Sequence, residues 1–225
     1  MTRYRWFTLS PAAPTTGPEL ARGLQKNQYE EARGWGFRLD SVDALAVTGV
    51  FVQRRSWDEP VIAPDGTVTV QPRLEYERTQ FTADLEAGLI ELVAPPRGLK
   101  PFLNQIAAAL DFAVTVEAPV IDVLGFVRDL SSVAAVTMGR LSAVGVSVSP
   151  HATAAVEVSG TQGVREAFDS LIGERPASVD AVEVIALFGA ESVGIRVARG
   201  GSATIRGTAG GVVLEMLRRY ARKST

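Results

Sequence analysis

The feature that most constrains this chain is that its C-terminal half resembles itself. Ser132-Val133-Ala134-Ala135-Val136 reads against Ser178-Val179-Asp180-Ala181-Val182. Val144-Gly145-Val146-Ser147-Val148 reads against Val193-Gly194-Ile195-Arg196-Val197, and Gly160-Thr161-Gln162-Gly163 against Gly207-Thr208-Ala209-Gly210. The order is kept at offsets of 46, 49 and 47 residues. A fixed period with small loop changes marks a repeated supersecondary unit. Two tandem copies are expected, at 132–174 and 178–220. A fainter third copy runs from Ser41-Val42-Asp43-Ala44-Leu45 through Phe81–Leu85, a Glu86-Ala87-Gly88 turn and Leu89–Val93, with an insertion around Trp57–Tyr76.

The unit reads as strand, strand, tight hairpin, strand, helix. Val144, Val146 and Val148 alternate with Gly145, Ser147 and Ser149, and Ile195 and Val197 flank Arg196, as half-buried strands do. Apolar residues at helical spacing follow: Leu99, Leu103, Ile106 and Leu110; Val164, Phe168 and Leu171; Val213, Met216, Leu217 and Tyr220. A strand at Arg5–Leu9 leads into a helix near Leu20–Ala32, and one at Ala113–Glu117 into a helix near Ile121–Leu130. Pro64-Asp65-Gly66 between Val61-Ile62 and Val68-Thr69-Val70 predicts a further hairpin. The expected class is α+β, with antiparallel sheets and packed helices. An N-terminal half, 1–112, would hold the divergent copy and the inserted hairpin. A C-terminal half, 113–225, would hold the tandem copies, the two forming one continuous body.

Composition narrows the chemistry. The 225 residues include no cysteine and one histidine, so no disulfide, thiol nucleophile or cysteine-ligated metal is available, nor any centre needing two imidazoles. The net charge is −2, no apolar run nears the ~20 residues of a membrane helix, and the polar start is unlike a signal peptide. A cytoplasmic location is expected. Twenty of the 23 basic residues are arginine, the bias of a GC-rich, bacterial genome.

Few residues carry a catalytic pattern. The Gly-Thr-x-Gly turns lack the rest of a phosphate-binding fingerprint and read as tight strand-to-helix reversals in which Thr caps the helix. His151 lies at a hairpin tip without a nucleophile elbow. Glu75 and Glu77 share a strand face and could hold a divalent metal for a nuclease or phosphodiesterase. A solvated face with cross-strand arginines explains them as well. No catalytic residue, metal ligand or cofactor is assigned.

Binding residues stand out more clearly. Ten of the 16 aromatic residues fall before Thr82, several interleaved with arginine, a composition shared by protein-interface hot spots and base-stacking surfaces. Through Arg78 acids and bases balance at ten each, which favours a protein partner, and Trp6, Trp35, Arg54, Arg55 and Trp57 are the candidate contacts. From Arg196 onward seven basic residues (Arg196, Arg199, Arg206, Arg218, Arg219, Arg222 and Lys223) face the single acid Glu215. That cluster suits phosphate or carboxylate groups, or complements a helix C-terminus. The expectation is a non-enzymatic protein-binding or assembly protein, homo-oligomer included. The alternative is a nucleic-acid-binding module on the C-terminal arginines.

Overall fold

The computed structural model describes residues 1–223. Along them run β1 (Thr2–Pro11), α1 (Gly17–Gln25), β2 (Trp35–Val42), β3 (Ala46–Ile62), β4 (Val68–Asp84), β5 (Leu89–Val93), α2 (Lys100–Ala109) and β6 (Val114–Glu117). There follow α3 (Val123–Ser131), β7 (Ala135–Ser149), β8 (Ala152–Ser159), α4 (Val164–Ile172), β9 (Ser178–Phe188), β10 (Glu191–Ala198), β11 (Ser202–Arg206) and α5 (Gly210–Arg222). Strand takes 49% of the chain and helix 22%, with antiparallel pairing, so the protein is α+β. The chain divides into two units. One gathers Met1–Thr8, Ala87–Glu91 and the described residues from Glu117 onward; the other gathers Leu9–Glu86 and Leu92–Val116.

In the first unit the antiparallel order is β1-β11-β10-β9-β7-β8. Alternation sends Val182, Val184 and Ala186 of β9, and Val193, Ile195 and Val197 of β10, to one face. There they meet Phe126 and Leu130 of α3, Phe168 of α4 and Val213 and Leu217 of α5 in a continuous core. Asp122 caps α3 by accepting from the Gly125 N–H at 2.9 Å. The alternate residues of these strands, among them Glu183, Ile185, Leu187 and Arg196, lie on the opposite face and are partly or fully exposed.

Several local expectations are corrected here. Val144–Val148 does not begin a new strand but continues β7, bulged between Ala143 and Val146. Gly145 takes a left-handed φ of 66° inside that bulge. The extra residue breaks the alternation, so Ala143 and Val146 are buried while Val144 faces water, and a second register shift between Ser147 and Ser149 accompanies the exposure of Val148. On α4 the buried residues are Val164, Phe168 and Ile172, and Leu171 is exposed. Neither Thr161 nor Thr208 caps a helix: the N-caps are Gly163 and Ala209, without side-chain bonds. Thr208 instead donates to Glu191.

The second unit holds the antiparallel sheet β2-β3-β4 with α1 and α2 packed beside it. Its core is a cluster of four phenylalanines. Phe37, Phe51, Phe81 and Phe102 meet pairwise with ring centroids 5.0 to 6.2 Å apart in tilted and edge-on arrangements, the geometry that ring quadrupoles favour. Thr16 and Glu19 form a reciprocal capping box that starts α1. The helix ends at Gln25 rather than running to Ala32. The backbone of Gln28 and Glu30 is drawn instead into bridges with Phe37 and Trp35. Gly23 permits the approach to α2, because a Cβ there would lie 1.9 Å from the carbonyl oxygen of Ala109. Ser41–Leu45, read as the start of a third copy, spans the end of β2 and the turn into β3.

Candidate functional site

The hairpin expected at Pro64-Asp65-Gly66 is far longer than its turn signal implies. β3 and β4 are 17 residues each and pair from Ala46↔Asp84 to Ile62↔Val68. β2 covers β3 only from Val47 to Gln53. Arg54–Ile62 and Val68–Tyr76 therefore form a two-stranded arm beyond it. The turn is closed by the Ala63 N–H on the Thr67 carbonyl at 2.9 Å and by Asp65 Oδ1 accepting from the Thr67 N–H at 2.9 Å.

The two faces of the arm differ sharply. The register places Ile62 opposite Val68, Pro60 opposite Val70, Asp58 opposite Pro72, Ser56 opposite Leu74 and Arg54 opposite Tyr76. This face carries an apolar stripe, with Ile62 72%, Val68 59%, Val70 61%, Leu74 57% and Tyr76 42% exposed, and Arg54, Ser56 and Asp58 of β3 interrupt it. On the other face Arg55 pairs with Glu77 at 2.7 Å, Glu59 pairs with Arg73, and Trp57 stands 48% exposed opposite Arg73. Glu77 is thus committed to an arginine, and Glu75 faces Arg55 across the ladder.

The prolines fix which edges can bond. Ala63 and Thr67 form a hydrogen-bonded pair, and such pairs alternate along an antiparallel ladder. Pro60 and Pro72 therefore occupy positions whose N–H would point outward from the ribbon. Each strand of the arm loses one donor on its outer edge, a device that blocks strand addition.

The root of the arm is tied to the loop after α1. Glu31 Oε1 accepts from Arg54 Nη1 at 2.8 Å and from the Tyr76 hydroxyl at 3.0 Å, while Oε2 accepts from the Tyr29 hydroxyl at 2.6 Å. These donors, Tyr29 first, hold the Glu31 carboxyl below its ordinary range. In return Glu31 pushes the Tyr29 phenol up to about 12. Arg33 stacks on Trp35 at 4.9 Å, and Trp35 packs on Phe51. Trp35 is half-buried.

Trp6 is not a surface residue. Its ring is wholly buried, because β1 turns it into the helix-covered core. There its indole N–H donates to Glu91 Oε2 at 2.9 Å. Arg218 completes this buried group, with Nε donating to Glu91 Oε2 at 2.7 Å and Nη2 to Oε1 at 2.6 Å. Burial lowers the Arg218 guanidinium but the Glu91 hydrogen bonds outweigh it, and its pKa is raised.

The C-terminal arginines consequently do not form one surface. Arg218 is spent on Glu91, Arg219 and Arg222 are exposed on α5, and the Lys223 ammonium lies over the Tyr220 ring at 5.4 Å. Arg199 sits at the β10–β11 turn beside Ser178. Arg196 and Arg206 project from the open sheet face. Register lines up Arg3, Thr204, Arg196, Glu183, Arg140 and Ser159 across β1, β11, β10, β9, β7 and β8.

A cavity of about 590 Å³ opens on this row, with Gly139 and Gly194 leaving space between Arg140, Glu183, Arg196 and Arg206. Arg196 Nη1 donates to Glu183 Oε1 at 2.9 Å, and Arg140 Nε stands 3.8 Å from Glu183 Oε2. Arg140 Nη1 reaches Glu157 at 3.5 Å and Arg206 Nε meets Met1 Sδ at 3.2 Å. Nothing in the sequence singled out Arg140 or Glu183, since only the register of β7 and β9 brings them beside Arg196.

His151 is exposed at the β7–β8 tip. Among the described residues no three carboxylates or imidazoles gather as a metal-binding group, and no helix is long and apolar enough to cross a membrane. No known family model matches the chain, and no curated protein resembles it in sequence.

Proposed function

We propose that this is a non-enzymatic assembly protein that pairs with a second copy of itself through the β3–β4 arm. The observation that carries the reading is the apolar ladder Ile62, Val68, Val70, Leu74 and Tyr76, lying on one face with an ion-paired face behind it. Soluble proteins rarely leave such a patch uncovered. At their exposures in the structure these five side chains offer roughly 500 Å² per copy. A two-fold pair would then bury about 1,000 Å² before the prolines are added, where specific interfaces begin. A two-fold contact uses the same patch on both copies, so a single apolar stripe can serve as both halves of the interface. The outward-facing prolines direct the contact to the face rather than the edge. Arg54 closes the inner end of this surface, while Arg55 and Trp57 stand on the reverse face as a separate contact.

We infer as well that the unit carrying these elements is duplicated in the C-terminal half. The order strand, hairpin, strand, glycine turn, helix recurs in β7–β8–α4 and in β10–β11–α5, which supports the sequence alignment from Val144 and Val193 onward.

Light scattering tests the assembly. The wild-type chain is expected at twice its 24.0 kDa and Val70→Glu with Leu74→Glu at the monomer mass, with unchanged circular dichroism because both side chains are exposed. Glu59→Gln on the reverse face should leave the dimer intact. A wild-type monomer at every concentration, or a dimer that survives the two glutamates, refutes the reading.

A further inference from the structure

We propose that the cavity on the open sheet face, between Arg140, Arg196 and Arg206, is a binding site for a small phosphorylated molecule. Three guanidinium groups and one carboxylate line it, an excess of two positive charges. Arg3 and Arg5 extend the same face on β1, opposite Thr204 and Ser202. Acids on this face are Glu183 and Glu157, and both are engaged with Arg140 or Arg196.

Two observations point to an occupant. Glu183 bridges Arg140 and Arg196 from one side, so it fixes both forks while leaving most of their N–H groups available. Finally, the register shift between Met138 and Arg140 puts Gly139 in a bulge. Gly194 faces the cavity from β10, and a Cβ on either glycine would meet nothing closer than 3.8 Å. The space is therefore kept by small residues rather than closed by packing, and bulges beside sites commonly re-aim a side chain.

Size and composition choose the ligand class. A volume of about 590 Å³ is that of a single small-molecule site. Planar arginine forks match phosphate oxygens two at a time. Ile185, 51% exposed, gives an apolar wall beside them. The lining carries no aromatic ring on which successive bases could stack, so a monomeric phosphate ester or diphosphate fits better than a polynucleotide.

Titration calorimetry on the full chain tests this with four probes: pyrophosphate, adenosine monophosphate, citrate and a single-stranded 20-mer. Pyrophosphate and the nucleotide are expected to bind, citrate at least tenfold more weakly. Arg196→Gln and Arg140→Gln should each weaken pyrophosphate about tenfold, the value of one charge-assisted hydrogen bond. Gly194→Val, which puts a branched side chain into the space without changing charge, should weaken pyrophosphate at least tenfold, and Arg219→Gln on α5 should change nothing. Absence of heat with both phosphate probes overturns the proposal, as does pyrophosphate binding undiminished by Gly194→Val in a folded protein. Citrate binding as tightly as pyrophosphate overturns the phosphate class. An oligonucleotide bound more than about a hundredfold tighter than the mononucleotide overturns the small-molecule class and returns the surface to nucleic acid.

Discussion

Replacing Arg218 should unfold the first unit more readily rather than weaken binding to anything. The Glu91 carboxylate is 8% exposed and accepts three hydrogen bonds, one from Trp6 and two from Arg218. Arg218→Met keeps much of the aliphatic stem over the core but removes two of the three donors. It leaves a buried carboxylate with a single neutral partner. Breaking a fully buried pair costs about 3–5 kcal/mol. Arg218 is 32% exposed, so water re-enters on its side, and the expected loss is about 2–3 kcal/mol. The contact to Glu215 on the surface adds only tenths. For a chain of this size that corresponds to a fall in Tm of roughly 5–10 °C. Urea unfolding followed by tryptophan emission and circular dichroism measures it. The companion is Glu91→Leu with Arg218→Met, which removes both charges. The double variant should be less destabilised than the two single ones added together, by at least about 1.5 kcal/mol. Strict additivity, or an Arg218→Met protein within about 0.5 kcal/mol of wild type, refutes the reasoning.

The Glu31 cluster gives a pH dependence at both extremes. Its carboxyl is held low in the folded state, so the stability it adds is present above the ordinary carboxylate range and lost as pH falls through the lowered value. Tyr29 titrates late, pushed from 10.0 up to about 12 chiefly by its bond to Glu31. Its contribution is complete below pH 10.0 and lost as pH rises towards about 12. Phenolate absorbance should show a tyrosine in that window that moves back towards its ordinary value in Glu31→Gln. Gly23→Ala should cost about 2–3 kcal/mol by overpacking, since its Cβ would fall on the Ala109 carbonyl; thermal unfolding checks this. Pro60→Thr with Pro72→Thr restores two outward donors on the arm. Higher-order species by light scattering, with thioflavin binding, are expected from it, and an unchanged dimer would show that the edges need no protection.

Local chemistry was readable in this chain wherever a residue's own neighbours decide its state. Pro64-Asp65-Gly66 marks its turn, alternation marks β10, and the 3.6-residue spacing marks α5, because each signal lies within a few positions. What escaped was set by distant partners. The Trp6 ring looked like a surface aromatic between arginines, but Glu91 and the α3 and α5 side chains bury it. Arg218 looked like one of a row of basic residues until its partner, 127 positions away, claimed it. The β7 bulge at Gly145 inverts Val144 relative to Val146, and no pattern of apolar residues registers a single extra residue in a ladder. For the arm, the turn was visible. Its length and its two unlike faces depend on the β3–β4 register, which no short motif encodes.

That register also determines what kind of assembly the arm can make. A two-stranded ribbon is marginal in water unless something packs on it. Here the ion pairs Arg55–Glu77 and Glu59–Arg73 keep one face soluble and leave the ladder of the other to supply cohesion. Had the outer edges kept all their donors, each ribbon could have added a third strand, which would in turn offer a new edge, and the association would have no natural end. With Pro60 and Pro72 turned outward, the remaining favourable contact is face against face. Two ribbons meeting that way would cover each other's apolar stripe and turn outward the face that carries the ion pairs and Trp57. The same even-numbered positions on β3 and β4 that bear the ladder bear the prolines, so in the proposed dimer one strand parity would both supply the contact and withdraw donors from the edges.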